Sequence, residues 1–159
     1  MLSVRPLVAD DGEWVRATLE EGWGSTSVAR LGELVDAASL PGFVAERGQR
    51  VGLVTYADRA DGVEVVTLQA SVEGQGVGRA LLGAVRDRAS EAGASRLWLS
   101  TTNDNLRAFA LYQRWGMDLA GVVLGGVDAS RRVKPGIPET GAHGIALRHE
   151  LLFELRLDR

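Results

Sequence analysis

The chain has 159 residues, 45% of them hydrophobic and 25% charged, with a formal net charge of -3. That length suits one domain around one core, and the charge balance gives no electrostatic reason to expect nucleic acid or an anionic membrane as partner. With no cysteine and only His143 and His149 as imidazoles, a disulfide frame, a thiolate nucleophile and a cysteine-type zinc site are excluded, and no metal is expected.

The N-terminus, Met1-Leu2-Ser3-Val4-Arg5-Pro6, lacks an apolar signal core, and no apolar run approaches the roughly 20 residues that cross a bilayer, so a cytoplasmic protein is expected. Val4 to Val8 reads as a short strand. Asp10 or Asp11 then caps a helix carrying Trp14, Val15 and Leu19 that breaks near Gly22. A second helix is predicted from about Val28 to Leu40, stopping at Pro41-Gly42. Phe43 to Glu46 and Val51 to Ala57 form a hairpin across Arg47-Gly48-Gln49, and Val63 to Ser71 is the next strand after the Ala60-Asp61-Gly62 turn.

The segment Ser71-Val72-Glu73-Gly74-Gln75-Gly76-Val77-Gly78-Arg79 then joins this strand to an amphipathic helix. Alternating glycines let backbone approach a ligand closely, and the free N–H groups and dipole of a helix start favour an anion. A P-loop needs Gly-Lys-Ser/Thr where Gly78-Arg79-Ala80 stands, and a dinucleotide fingerprint needs a third glycine where Arg79 or Leu81 stands. Neither fits, which leaves another phosphate ligand or a plain glycine-rich turn.

Leu81, Val85, Ala89 and Ala92 share one helical face until Gly93 ends the helix, and Arg96 to Thr101 is a compact strand. After Asn103-Asp104, read as a capping pair, Ala108, Leu111, Tyr112 and Trp115 recur at helical spacing with Gly116 as the stop. Asn105 and Tyr112 are seven residues apart, two helical turns, so both can face one extended ligand. Met117 to Leu124 and Leu151 to Leu157 are the last strands. Between them Gly125 to Gly144 shows no clear periodicity and carries Arg131, Arg132, Lys134, Pro135, Pro138 and His143. Loops this long are uncommon unless functional or disordered. Strands first, then alternating strand and helix, argue for a mixed sheet flanked by helices.

The glycine loop and the stretch Asn105-Leu106-Arg107-Ala108-Phe109-Ala110-Leu111-Tyr112-Gln113-Arg114-Trp115-Gly116-Met117 together resemble the GNAT superfamily of acyl-CoA-dependent N-acyltransferases. Gly76 and Gly78 match that family's Gln/Arg-x-x-Gly-x-Gly/Ala pyrophosphate loop. Asn105, Ala108, Tyr112 and Gly116 match its Asn-x-x-Ala-x-x-x-Tyr-x-x-x-Gly-Phe helix in register. Glu73 stands where the family prefers Gln or Arg, and Met117 where it prefers Phe.

The resemblance covers almost the whole chain and implies one α/β domain over residues 1–159 in the GNAT fold, a mostly antiparallel sheet of about six to seven strands with about four helices. It implies acetyl-CoA as co-substrate, held by Gln69, Ala70, Val72, Gly74, Gln75, Gly76, Val77, Gly78, Arg79 and Asn105. Tyr112 becomes the general acid that protonates the departing thiolate. Glu64 is the candidate base, as a glutamate on this strand is in the histone-modifying branch. A base is useful because an amine of pKa about 10.4 is neutral only about once in 10³ at pH 7. The acceptor falls to Trp23, Ser25, Arg30 and His143, and a homodimer is possible, as in many relatives. The expected activity is acetylation of a small-molecule primary amine by direct attack in a ternary complex. An acyl-CoA-binding module without catalysis and a protein N-terminal or lysine acetyltransferase are the alternatives.

Overall fold

The computed structural model describes residues 1–157. In chain order its elements are β1 (Ser3–Pro6), α1 (Gly12–Trp23), β2 (Ser27–Arg30), β3 (Glu33–Asp36), β4 (Gly42–Glu46), β5 (Arg50–Arg59), β6 (Gly62–Ala70), α2 (Val77–Glu91), β7 (Arg96–Thr102), α3 (Leu106–Trp115), β8 (Asp118–Val123), α4 (Gly126–Val133) and β9 (Glu150–Arg156). The fold class is the mixed α/β one expected, mostly antiparallel. Contacts divide the chain into two compact units. One combines Met1–Ser27, Asp36–Leu97 and the C-terminus from Arg156; the other combines Val28–Val35 with Trp98–Leu155. No helix among the described residues is long and apolar enough to cross a membrane.

In the first unit β1, β4, β5 and β6 pair antiparallel in that order. Seven consecutive residues of β5, Val51 to Ala57, are buried, so both faces of that strand are covered and the polar alternation of a half-exposed strand is missing. α2 packs its Leu81, Leu82, Val85 and Ala89 onto β4, β5 and β6. α1 is tied to the same sheet at two points: Arg50 lies 5.7 Å from the Trp14 ring centroid, and the Gln69 amide nitrogen donates to Thr18 O at 3.1 Å. The β5–β6 register passes from Thr55 opposite Thr67 to Tyr56 opposite Val65, leaving Val66 as an extra residue, a β-bulge in the strand that enters the glycine loop.

Asp11 precedes α1 but does not cap it. Its buried carboxylate instead accepts from Arg5, Arg50 and the Val8 N–H, a stronger set of donors than one helix amide.

In the second unit β8 and β9 pair antiparallel, and Phe153 of β9 is fully buried against Phe109 and Tyr112 of α3, with ring centroids 5.5 and 5.4 Å apart. Three expectations are corrected here or at its border. The helix predicted from Val28 to Leu40 is the β2–β3 hairpin followed by a 3-10 turn, Ala37–Ser39. Val28, Leu31 and Val35 fall at i, i+3 and i+7 and so imitate the helical period, but Gly32, at φ +77, turns the chain where a helix would have continued. The segment Gly125 to Gly144 is not structureless: α4 occupies Gly126–Val133. Its buried face is Gly126, Val127 and Ser130, two of them small or polar, which hid the helical period.

The third correction concerns the cap of α3, which is Asn105 and not the pair before it. Asn103 and Asp104 tie down the chain ahead of β9 instead. Asn103 bonds the Arg148 and His149 amides and Ala146 O, and Asp104 bonds the Ala142 amide.

Candidate active site

The loop after β6 is anchored at its start, where the Ser71 amide and hydroxyl both donate to Val51 O at 2.9 and 3.1 Å. Gly74 and Gly76 are left-handed, at φ +70 and +80, and Gly76 immediately precedes α2. The amides of Val72, Gly74, Gln75, Gly76, Val77, Gly78 and Arg79 meet no acceptor among the described residues; the first bond of the helix is Ala80 N–H to Gly76 O at 3.0 Å. A Cβ on Gly74 or Gly76 would have nothing within 4 Å. An open concavity lined with successive N–H groups at a helix start is an anion nest. Glu73 is exposed, and so is Arg79.

Two supports of this loop escaped the sequence reading. Arg47, in the β4–β5 turn, donates to the Gln75 side chain. Gly52 faces the base of the loop: a Cβ there would stand 2.5 Å from Val77 Cγ1 and 3.0 Å from Leu81 Cδ1. Only a glycine lets α2 begin so close to β5, and no motif marks that position. Of the cofactor-binding candidates at the end of β6 and the start of the loop, Ala70 is exposed and Val72 half-buried. The Gln69 side chain is committed to Thr18 of α1.

Tyr112, on α3, is 7% exposed, and its hydroxyl has no hydrogen-bond partner among the described residues. Burial pushes its pKa up to about 12, so it stays protonated across the physiological range and has a proton to give. Asn105 is less available than expected. Its Oδ1 accepts the Ala108 amide at 3.2 Å as the α3 cap, and its Nδ2 donates to Thr101 at 3.2 Å. A cofactor contact at Asn105 must use what the cap leaves.

Glu64 is 1% exposed, and its Oε1 accepts from Arg59 Nη2 at 2.9 Å and Nε at 3.0 Å. The Arg59–Glu64 pair thus bridges the paired strands β5 and β6. The acceptor candidates are scattered. Trp23, the last residue of α1, is 39% exposed, while the Ser25 hydroxyl closes a local turn with Ser27. Arg30 is buried beside Glu33, and His143 is exposed in a 3-10 turn. His149 accepts the Gly125 amide on Nδ1 and so fixes the start of α4. Arg131 donates to Pro138 O and Leu147 O at 2.7 Å each, which makes it a brace of its own segment.

Comparison with known proteins agrees with this reading of the motifs. Residues 12–117 match the model of the Acetyltransferase (GNAT) family. The uncharacterised protein YdhI of Bacillus subtilis (strain 168) is 38% identical over 138 residues, 86% of each chain. The streptothricin acetyltransferase of Streptomyces lavendulae is 37% identical over 60 residues, 38% of this chain and 32% of that protein. Among solved structures, a Bacillus subtilis acetyltransferase in complex with CoA superposes with a TM-score of 0.71 at 16% identity, covering 99% of this chain and 100% of that one.

Proposed function

The chain belongs to the acetyltransferase (GNAT) family, and we propose that it transfers the acetyl group of acetyl-CoA to a primary amine of a small molecule by direct attack in a ternary complex. The unclaimed amides of Val72 and of Gly74 to Arg79 carry this reading, because they offer a pyrophosphate a set of N–H donors already in place. The partial similarity to the streptothricin enzyme supports a small-molecule acceptor.

The amine nitrogen attacks the thioester carbon, the C–N bond forms, and a backbone amide in the Gln69 to Val72 stretch stabilises the oxyanion. The C–S bond then breaks and Tyr112 gives its hydroxyl hydrogen to sulfur. A donor of pKa about 12 facing a thiolate near 8.5 transfers its proton uphill by about 5 kcal/mol. Tyr112 therefore acts first as a hydrogen-bond donor to the developing charge, and the transfer completes as the proton shed by the amine returns through water to the phenolate. No cysteine is present to take the acetyl group, so no covalent intermediate on sulfur intervenes.

In this scheme the amine loses its proton to water and Glu64 is structural. Glu64→Gln is expected to keep turnover within about threefold while lowering the melting temperature by a few degrees, since the amide still accepts from Arg59 but without charge. A loss of 100-fold would make Glu64 the base after all. Glu73 is expected to weaken the grip slightly: an exposed charge close to a phosphate costs about 1 kcal/mol or less in water. Glu73→Gln should thus tighten CoA about two- to fivefold by titration calorimetry, and more at low salt.

The reading is tested by thiol release from acetyl-CoA across aliphatic polyamines, free amino acids, a streptothricin and lysine-bearing peptides. Release with a small amine supports it. Release with peptides alone points to a protein substrate, and tight CoA binding with no release on any amine to a binding module.

A further inference from the structure

The β4–β5 turn lies at the same end of the sheet as the glycine loop, because β5 runs antiparallel to β6: Gly52 stands opposite Ala70, and the Ser71 amide reaches Val51 O at 2.9 Å. Arg47 and Arg50 flank this turn, and Arg5 lies on the neighbouring β1. Two of the three have their charge answered by carboxylates. Arg5 donates to Asp11 and Glu46 at 2.9 Å each, and Arg50 donates to Asp11 at 3.0 Å. Arg47 has no carboxylate partner among the described residues. It donates through Nη1 to the side-chain oxygen of Gln75, a neutral group 28 positions further along the chain.

The atom used matters. A guanidinium meets an oxyanion best along the edge formed by Nε and Nη2, whose two N–H bonds run parallel. Arg59 commits that edge to Glu64, at 3.0 and 2.9 Å. In Arg47 the same edge meets no acceptor among the described residues. Nor is the residue loosely placed: it is half-buried, its amide donates to Gln49 O at 2.9 Å, and Gly48 closes the turn at φ +75. Gln75 stands between Gly74 and Gly76, so this contact brings a full positive charge to the rim of the nest. The nest amides supply dipoles only, and the charges carried by the loop itself, on Glu73 and Arg79, cancel formally. Resting on the acetyltransferase reading above, we propose that Arg47 is a phosphate ligand of the acyl-CoA site. Gln75 holds its Nη1 and leaves the Nε–Nη2 edge for a phosphate oxygen, so the charge that grips the cofactor comes from the β4–β5 turn, outside the glycine loop.

The test is calorimetric titration of the full chain with CoA and with dephospho-CoA, which lacks the ribose phosphate, each at low and high salt. Arg47→Gln should weaken CoA about tenfold and flatten the dependence of Kd on salt, since one ion contact is lost. Arg47→Lys keeps the charge without the fork; it should weaken CoA only about threefold and keep the salt dependence. The same loss with dephospho-CoA assigns Arg47 to the pyrophosphate, and a loss confined to CoA assigns it to the ribose phosphate. An unmoved Kd in Arg47→Gln would overturn the assignment. So would a loss with the wild-type salt dependence, which would make Arg47 a prop of the loop acting through Gln75. A wild-type chain that binds no CoA would instead overturn the acetyltransferase reading, and this inference with it.

Discussion

Replacing Tyr112 by phenylalanine should lower kcat about 100-fold, within the range of a lost general acid, with the KM for acetyl-CoA changed less than threefold. The fold should survive the change. The hydroxyl has no hydrogen-bond partner among the described residues, and the ring that packs on Phe153 is kept. The pH dependence gives an independent check. A tyrosine acting as an acid is lost from catalysis as pH rises through its pKa, and burial has moved that point up to about 12. The wild-type kcat should accordingly show no falling limb up to pH 10, and whatever rise occurs at lower pH should persist in Tyr112→Phe, since it belongs to the amine. Turnover unchanged in the variant would return Tyr112 to the core as a packing residue.

The second large effect is expected at Gly76. At φ +80 an alanine costs about 1–2 kcal/mol, and because Gly76 immediately precedes α2 the chain can relieve this only by re-aiming the amides of Val77 to Arg79. That energy corresponds to roughly 5- to 30-fold in the Kd of CoA. A methyl group projecting into the ligand's space would add to it. Gly83→Ala provides the contrast: Gly83 lies inside α2, where the nearest atom to a new Cβ is Arg86 Nη2 at 3.7 Å. Alanine should there stabilise the helix by up to about 1 kcal/mol and leave CoA affinity alone. Calorimetric titration of both variants separates an effect on the nest from an effect on the helix behind it. Equal affinities for Gly76→Ala and wild type would show that the nest does not hold the cofactor.

The features read correctly from sequence were the local ones. Gly74, Gly76 and Gly116 are left-handed as their places in a loop and a helix stop required, and Leu81, Val85 and Ala89 are buried on one face of α2 as their spacing required. Ala92 shared that spacing but lies exposed at the end of α2, where the helix gives way to Gly93. The hairpin from Val28 onward was misread because its turn is not held by its own residues. Leu31 is kept left-handed by Glu150, 119 positions away. α4 was missed for a related reason: Gly126 and Ser130 are buried because Glu150 needs a close backbone and a hydroxyl beside it, so the face carries no apolar signal.

The candidate site divides along the same line. The glycine loop before α2, the helix carrying Tyr112 and the family to which both motifs point were legible in the chain, since each depends on residues within about a dozen positions of one another. Folding decided what those residues are free to do. It left Tyr112 buried and protonated, spent Asn105 on a cap and enclosed Glu64 with Arg59. It also placed Gly52 under the loop and joined Glu150 to a turn near the other end of the chain. Burial and partnership depend on packing between segments distant in sequence, and spacing along a chain records only the neighbours that the backbone geometry of one element imposes.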